Sequence, residues 1–374
     1  MRDFSLSLFT PVSLGATAFA DFSKWSSGWR RSWNLYLGCK RGAFRLYPTG
    51  GYTESDLKQV FYEMLGYHLE ENSAGLRTWA GLVYSLDLAH NGSIKRRSLE
   101  HLANAVKAIY INDSDAYAET SYYTDTASIA WYGRKEEILE LDGYAQTAAE
   151  TRAQSYLMIN KKAWPRPVSI DQQGDSYVEV NVLGYAATVN WQYITAADGT
   201  TDDADDWITE MLSADVDLVT AGKISSNTIQ VKQSIDIGTR VLDKMQFIAG
   251  LGDSSYQPWQ IYVDQHRELH YRAVDLTVKY RREQGEIKHP DGDMANPWLI
   301  EPGVIRDTDY PVGIGDPGDP LLENVQDSLI EEVEVGSDGT ISLRGSEYDG
   351  SSILAEQQAY EKMLADEEAR DEEE

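Results

Sequence analysis

The sequence predicts a mainly β or α+β protein with more than one domain. Its 374 residues are enough for two to four domains at about 100–200 residues each. Tyr and Trp, which suit half-buried strands, dominate the aromatic residues at 23 and 10 copies. Segments with a period near two are separated by a few helical ones, without the regular βαβα alternation of a parallel α/β fold.

The composition excludes several classes of protein. Hydrophobic residues make up 42%, so cores can be buried, but 61 acidic against 33 basic residues give a net charge of -28. Because phosphate binding needs a basic face, we expect no sequence-specific nucleic-acid binding. No apolar run approaches the roughly 20 residues of a membrane span, so we expect no stable membrane insertion, and the start of the chain lacks the pattern of a secretory signal.

The first predicted domain, residues 1–115, is β-rich with one helix at 55–65. Apolar residues from Leu57 to Leu65 form one helical stripe, with Ser55 as the expected cap and Gly66 as the stop. Three further features predict strands in this domain: the alternation at Trp29–Leu37, the apolar run Trp79–Leu88 and the hairpin turn Asn91-Gly92.

The second predicted domain, residues 116–240, holds an Ala-rich helix at 144–162 that Pro165 and Pro167 terminate. A shorter helix begins near Asp205 and buries Trp207. Alternating or β-branched residues predict strands at 128–133, Tyr177–Val182, Ala186–Ile194 and Asn227–Ile235.

The third predicted domain covers residues 241–345. Its sequence predicts a helix at Thr239–Ala249, a hairpin from Trp259–Val263 and Leu269–Val274, a Pro/Gly connector at 285–325, and a hairpin from Ser328–Val335 and Thr340–Leu343 turning at Asp338-Gly339. A last segment, 346–374, reads as an acidic helix or tail.

The two ends of the chain carry opposite charge. Residues 1–50 contain seven bases and two acids, whereas residues 347–374 contain eleven acids and two bases. In a symmetric assembly this asymmetry favours contacts between opposite ends of neighbouring subunits. The alternative is a solvated acidic tail.

A search for chemistry yields few candidates. His266 and His270 are four residues apart but lie on a predicted hairpin without a third ligand, so we expect no metal. Cys39 is the one cysteine, which excludes an intrachain disulfide, and its neighbours Lys40 and Arg41 leave a reactive thiol as an alternative.

The acids from Asp198 to Asp206 are open to two interpretations, favourable charges at the start of the next helix or a calcium site, and the first is preferred. A carboxylate pair for glycoside hydrolysis cannot be selected from sequence. Phosphate-cradling loops and Ser nucleophile elbows are missing. We therefore predict no catalytic residues, no cofactor and no metal, and a non-enzymatic role.

Several segments together resemble the tail hub proteins of long-tailed bacteriophages. The passage Ser128–Glu136, the Ala-rich helix after it and the break at Trp164–Pro167 follow the order of that family. The remaining segments that resemble it are Phe61–Gly66, Trp79–Val83, Ser98-Leu99, Asn104, Tyr110, Gly252-Asp253, Pro258-Trp259, Glu268–Tyr271, Trp298–Gly303 and Glu331–Leu343.

The resemblance implies a structural virion protein at the distal end of the tail. Members are homotrimers whose chains each contribute two tube-like antiparallel β-barrel modules, with packed helices and small intervening domains. Three chains then present six similar surfaces to a sixfold ring. The implied partners are the distal tail or tail tube protein ring, the tape measure protein, and tip fibre or spike proteins. An acidic channel would let the genome pass at ejection without sticking.

The resemblance also implies structural roles. Trp131, Tyr132 and Gly133 would set a barrel edge, Trp79 and Gly81 a core strand, and Pro165 and Pro167 a domain junction, while Trp259 lies in the later hairpin. Two other functions stay open: a carbohydrate- or receptor-binding tail module, since exposed Trp and Tyr stack on sugars, and a tail-associated cell-wall hydrolase.

Overall fold

A computed structural model describes residues 4–49, 51–112, 116–170, 175–195, 200–233, 238–283, 285–307 and 327–345. The chain divides into two compact units. The larger contains Met1–Asp275, Asn296–Glu301 and Val333–Ser342, and the smaller contains Leu276–Ala295, Pro302–Glu332 and Leu343–Glu374. The predicted domain boundaries at 115, 240 and 345 stay predictions.

Strands outnumber helices in the described residues, which confirms the predicted mainly β, α+β class. The helices are α1 Glu54–Glu63, α2 Thr126–Tyr132, α3 Gln146–Asn160, α4 Ala186–Val189, α5 Ala204–Asp215 and α6 Val241–Gly250, with 3-10 turns at Val12–Leu14 and Pro297–Leu299. The first twelve strands are β1 Phe4–Phe9, β2 Ala18–Asp21, β3 Ser26–Asn34, β4 Gly38–Leu46, β5 His68–Ser73, β6 Leu76–His90, β7 Ser93–Ser98, β8 Ala105–Ile111, β9 Tyr117–Glu119, β10 Tyr123–Thr124, β11 Glu136–Leu141 and β12 Arg166–Ile170. The others are β13 Tyr177–Leu183, β14 Thr201–Asp203, β15 Thr220–Ile224, β16 Gln230–Lys232, β17 Trp259–Val263, β18 Glu268–Ala273, β19 Val278–Glu283, β20 Glu286–Lys288, β21 Gly303–Asp307, β22 Asp327–Gly336 and β23 Ile341–Gly345.

The long strand β6 organises the sheet of the larger unit. It pairs antiparallel with β5, with β7 and with β13, and β13 in turn pairs with β4. The predicted hairpin after β6 is confirmed, because Asn91 and Gly92 both adopt positive φ and connect His90 to Ser93. Strand β12 continues the sheet beyond β7 and shifts register between Pro167 and Ser169.

The core of this sheet is rich in tryptophan. Trp29 and Trp79 are buried and meet edge to face at 5.7 Å between ring centroids. Inside the same core Arg31 pairs with Glu71 at 3.0 Å, and Glu71 also accepts the Trp29 indole hydrogen at 2.7 Å. Each buried charge in this group therefore has a charged or hydrogen-bonding partner.

A smaller layer packs helix α3 on a second sheet. Strand β8 pairs in parallel with β11 and antiparallel with β9 and β10. The buried residues of this layer are Ala103, Val106, Ala108, Tyr110, Ala149, Ala153 and Leu157. The alanines of α3 let the helix approach the sheet closely, which explains the Ala-rich sequence and confirms the predicted helix.

Three strand predictions of the second domain are wrong in whole or part. Residues 128–132 belong to helix α2, which Gly133 caps, and most of Ala186–Ile194 forms helix α4 and a turn. Of Asn227–Ile235 only Gln230–Lys232 is a strand among the described residues. The predicted strand at Tyr177–Val182 and the helix near Asp205 are confirmed.

Helix α1 is confirmed with a different cap. The Thr53 side chain, not that of Ser55, accepts a hydrogen bond from the Asp56 backbone amide. The Asp56 carboxylate in turn accepts one from the Thr53 backbone amide at 2.6 Å. Helix α6 and the hairpin of β17 with β18 are also confirmed.

The prediction that residues 285–325 form an extended connector is wrong for part of that range. In the larger unit, Trp298 and Ile300 are buried around a 3-10 turn. The connector fails as a prediction here because prolines and glycines also occur at strand ends and turns. Residues 308–326 and the acidic segment 346–374 lie outside the described residues.

In the smaller unit, β19 forms a hairpin with β20 and pairs in parallel with β21, which pairs antiparallel with the first part of β22. In the larger unit, the turn after β22 is confirmed, because the Gly336 amide donates to the Thr340 carbonyl at 2.9 Å. Barrel closure is not observed in the described residues, and the two barrel modules stay a prediction. Among the described helices, none has the length and apolar content of a membrane span.

Candidate functional site

A groove lined by aromatic side chains brings together three of the predicted site residues, Trp131, Tyr132 and Pro165. Its volume is about 560 Å³, and we call it the aromatic groove. It lies where the end of α1, helix α2 and the chain after α3 meet. The lining residues are Tyr62, Arg97, Asp125, Ala127, Ser128, Trp131, Tyr132, Lys161, Lys162, Ala163, Trp164 and Pro165.

Helix α2 supplies one wall of the aromatic groove. Asp125 caps this helix by accepting from the Ser128 amide at 2.9 Å, and Gly133, at φ +83°, ends it. The Trp131 indole donates to the Leu65 carbonyl at 3.0 Å. Trp131, Tyr132 and Gly133 therefore lie on a helix and its cap and not on the predicted strand, while their role at a barrel edge stays a prediction.

Arg97 connects two sides of the groove. Its guanidinium donates to the Phe61 carbonyl at 2.9 Å and to the Ala163 carbonyl at 3.1 Å. Burial lowers the pKa of Arg97 despite the nearby Tyr132 hydroxyl. The hydrogen bonds made by Asp125, Trp131 and Arg97 thus hold the groove in one shape before any partner binds.

Trp164 gives the groove its most exposed aromatic ring, with 56% of the residue accessible. Its indole donates to the Ile159 carbonyl at 3.2 Å, and the Lys162 ammonium lies 5.8 Å from its ring centroid. Tyr62, on the side of α1, is 53% exposed. Two large, exposed aromatic side chains therefore line one depression.

A second depression shares Lys162, Ala163 and Trp164 with the aromatic groove. Its volume is about 370 Å³, and we call it the basic pocket. The lining residues are Arg96, Ser98, Glu100, His101, Leu102, Asn160, Lys162, Ala163, Trp164, Arg166, Pro167 and Val168. Glu100 is the one carboxylate among these lining residues.

The other predicted site residues lie elsewhere. Trp79 and Gly81 belong to β6, where Trp79 is buried and its indole donates to the Ser32 carbonyl at 3.1 Å. Trp259 begins β17, its indole donates to the Asp253 carboxylate at 3.1 Å, and its ring centroid lies 4.7 Å from that of Tyr271. The roles of these residues in an assembly stay predictions.

The predicted histidine pair is not assembled as a metal site. His266 is exposed, whereas His270 lies with Asp264 and Glu268 in a cluster whose ligand atoms are within 4.8 Å of one another. His270 Nδ1 accepts from the Lys223 amide at 3.1 Å, so Nε2 carries the proton and donates to Asp264 at 3.2 Å. Both ring nitrogens are therefore used by protein groups.

The two remaining chemical candidates have structural surroundings. Cys39 is buried, and burial raises the pKa of its thiol to about 12, so a thiolate is disfavoured at neutral pH. Asp205 lies in the first turn of α5 and accepts from the Asn227 amide at 2.9 Å. Asp203, at the start of α5, makes no side-chain capping hydrogen bond.

The sequence did not single out Tyr62, Arg97 or Lys162. Tyr62 sits beside buried Phe61 on α1, and periodicity places it on the solvent side without saying what it faces. The usable signal was the run Lys162–Pro167, because the prolines mark the point where the preceding helix must end.

No family model and no curated protein matches the sequence. Several solved structures are similar to the chain, and two of them are described as tail proteins. The tail protein from Neisseria meningitidis MC58 is 8% identical with a TM-score of 0.45, and the 43 kDa tail protein of prophage MuSo2 from Shewanella oneidensis is 9% identical with a TM-score of 0.43. Each likeness covers 92% of this chain and 96% of the other. The first is described as a tail protein and the second as a tail protein of a prophage, and at these scores the likeness assigns no function to this chain.

Proposed function

We propose that this chain is a structural, non-enzymatic protein of a phage tail, and specifically a tip hub that acts as a homotrimer. One observation carries the proposal: segments that resemble the tail hub family converge on the aromatic groove. Helix α2 holds most of the passage Ser128–Glu136, and Trp164 and Pro165 of the break line the same groove. These segments are far apart in sequence and form one exposed surface.

The composition of this surface suits protein association. Trp and Tyr are enriched among residues that dominate binding energy, because they bury much area and lose little conformational freedom. Trp164 and Tyr62 are exposed and aromatic, while Arg97 is already fixed by backbone carbonyls. A partner that covers the groove would therefore gain apolar burial without having to order the groove first.

In the proposed role the hub joins the sixfold tail tube or distal-tail ring to a threefold tip at the distal end of the tail. Its further partners would be the tape measure protein and the tip fibre or spike proteins. The net charge of -28 supports a lining role, because an acidic wall repels the phosphate backbone of a passing genome.

The substitution Trp164→Ala tests whether the aromatic groove is an assembly surface. Trp164 is exposed and donates only one indole hydrogen bond among the described contacts, so the chain should fold with little change. Removing an interface aromatic should weaken assembly by about 2 kcal/mol, or roughly thirtyfold in the dissociation constant. Analytical ultracentrifugation across a concentration series measures this shift.

Tyr117→Ala is the matched control, since Tyr117 is also an exposed aromatic but lies on β9 of the small sheet. Trp164→Ala with an unchanged dissociation constant would remove the groove from the assembly surface. A normal circular dichroism spectrum for both variants shows that folding is not the cause.

A carbohydrate- or receptor-binding module is the second candidate. The exposed rings of Tyr62 and Trp164 beside one groove are the arrangement that stacks on sugars. A glycan array separates the two functions: saturable glycan binding that Trp164→Ala abolishes favours the second, and no binding favours the hub.

A further inference from the structure

We propose that the basic pocket receives the acidic segment 346–374 of a second copy of this chain. The inference rests on the proposed function, since it needs a homo-oligomer, and it goes further by naming which two surfaces meet. The pocket combines Arg96, Lys162 and Arg166 with His101 in a chain whose net charge is strongly negative.

Two of these cations lie close together on neighbouring strands. Arg166 of β12 stands directly opposite Arg96 of β7 in the antiparallel register. Like charges at directly opposed positions repel each other and destabilise the strand pair. Asp87 accepts two hydrogen bonds from Arg96, each at 2.7 Å, which satisfies Arg96 but not its neighbour across the strands.

The other cations of the pocket are available. Lys162 and Arg166 are both exposed, and neither forms an ion pair within the described part of the chain. The single lining carboxylate, Glu100, lies beside His101 at 4.0 Å. The pocket therefore presents an excess of positive charge that a group of carboxylates would neutralise.

The pocket also has an apolar side. The Trp164 ring is shared with the aromatic groove, and Val168 and Pro167 form part of the lining. A suitable ligand thus carries several carboxylates together with a few apolar side chains. This combination favours an acidic polypeptide over a small inorganic anion.

Residues 346–374 have this composition. The segment contains the eleven acids counted at 347–374 and, between them, the apolar residues Leu354, Tyr360 and Met363. Its charge is opposite to that of the pocket, and complementary charge orients and speeds association.

Ring geometry favours a second copy as the source. In a closed cyclic trimer each interface joins two different patches, one from each neighbour. A basic pocket and an acidic segment on the same chain form such a complementary pair. The contact would then repeat around the ring and close it.

A zero-length carbodiimide cross-linker tests the contact on the full-length chain. The reagent joins an amine to a carboxylate that is in direct contact, so Lys162 should couple to acids of 346–374. Contact between copies gives a covalent dimer on a denaturing gel, whereas contact within one copy leaves the mass of a single chain. Peptide mapping identifies the coupled residues.

Two sets of variants make the test specific. The substitution Arg166→Glu, which keeps the Lys162 amine in place, should lower the yield of covalent dimer about threefold and shift the oligomer towards smaller species, because the reversal turns an attraction into a repulsion. Lys58→Glu is the matched control, since Lys58 is an exposed lysine of α1 outside the pocket. Lys162→Arg should abolish coupling at this position while preserving the oligomer.

The outcomes separate the inference from the function. A trimer whose segment 346–374 couples elsewhere, or whose dimer yield ignores the charge reversal, overturns the inference and leaves the hub proposal standing. Coupling of Lys162 to the segment within single chains also overturns it. A full-length chain that sediments as a monomer contradicts the proposed function itself.

Discussion

Gly81 shows how one residue fixes the packing around β6. A methyl group at this position would lie 2.5 Å from the Leu183 carbonyl oxygen and 2.5 Å from the Trp79 ring. Neither neighbour has room to move, since one is backbone and the other is a buried ring. Glycine is therefore required here by close approach and not by its backbone angles.

Gly81→Ala should lower the free energy of unfolding by about 1–3 kcal/mol, because overpacking forces the strands apart. Gly250→Ala is the control, since the corresponding methyl group would meet open space at the end of α6. Urea denaturation followed by tryptophan fluorescence measures both. Equal stabilities for the two variants would contradict this account of Gly81.

The Cys39 thiol should be unreactive in the folded protein. Burial keeps it protonated, with a pKa of about 12, and also excludes reagents. We expect negligible labelling by a thiol reagent at pH 8 and one equivalent after denaturation. Rapid labelling of the native chain would restore the reactive thiol as a candidate.

Helix α2 illustrates how capping chemistry decides an ambiguous segment. Ser128–Gly133 contains Ile, Trp and Tyr, which favour strands, so the sequence pattern predicts one. The structure has a helix because Asp125 caps its start and Gly133 ends it with a positive φ. The signals in the sequence that outweigh strand propensity are Asp125 before the helix and Gly133 after it.

Asp125→Ala and Asp125→Asn separate the two contacts of this cap. Asp125 accepts from the Ser128 amide and pairs with Lys161 at 2.9 Å. Alanine should cost about 1 kcal/mol because both contacts are lost, whereas asparagine retains the capping bond and should cost only a few tenths. Chemical denaturation measures the difference, and an equally large loss for asparagine would mean that the ion pair dominates.

The alternation of apolar and polar residues and the residues of tight turns predicted those elements that depend on local sequence alone. β6, β13 and the turn at Asn91-Gly92 agree with the structure for this reason. The strand predicted at Ala186–Ile194 is wrong because its β-branched and aromatic residues fill a tight turn that follows Gly184. Gly184 lies so close to the Cys39 carbonyl that a methyl group on it would clash. That constraint is tertiary and leaves no pattern in the sequence.

The candidate site was predictable only in part. The sequence selected Trp131, Tyr132 and Pro165 separately, through a family resemblance, and could not show that they share one groove. Tyr62 of α1 and Arg97 of β7 complete the groove from segments that precede α2 in the sequence. Their proximity follows from sheet pairing and helix packing, which depend on the whole fold.

In the proposed role the whole molecule works by shape and copy number. The two exposed surfaces, the aromatic groove and the basic pocket, adjoin at Trp164, so one interface can use both. Because one surface is apolar and the other charged, raising salt should weaken but not abolish assembly: the Debye length falls from about 8 Å at 0.15 M to about 3 Å at 1 M. Sedimentation at the two salt concentrations measures this, and complete insensitivity would exclude the charged contact.

The solution mass of the purified full-length chain tests the central claim most directly. Mass photometry or light scattering at micromolar concentration should give three times the chain mass of 42.0 kDa, and averaged electron-microscope images should show threefold symmetry. A particle with the mass of a single chain at every concentration tested would contradict the account.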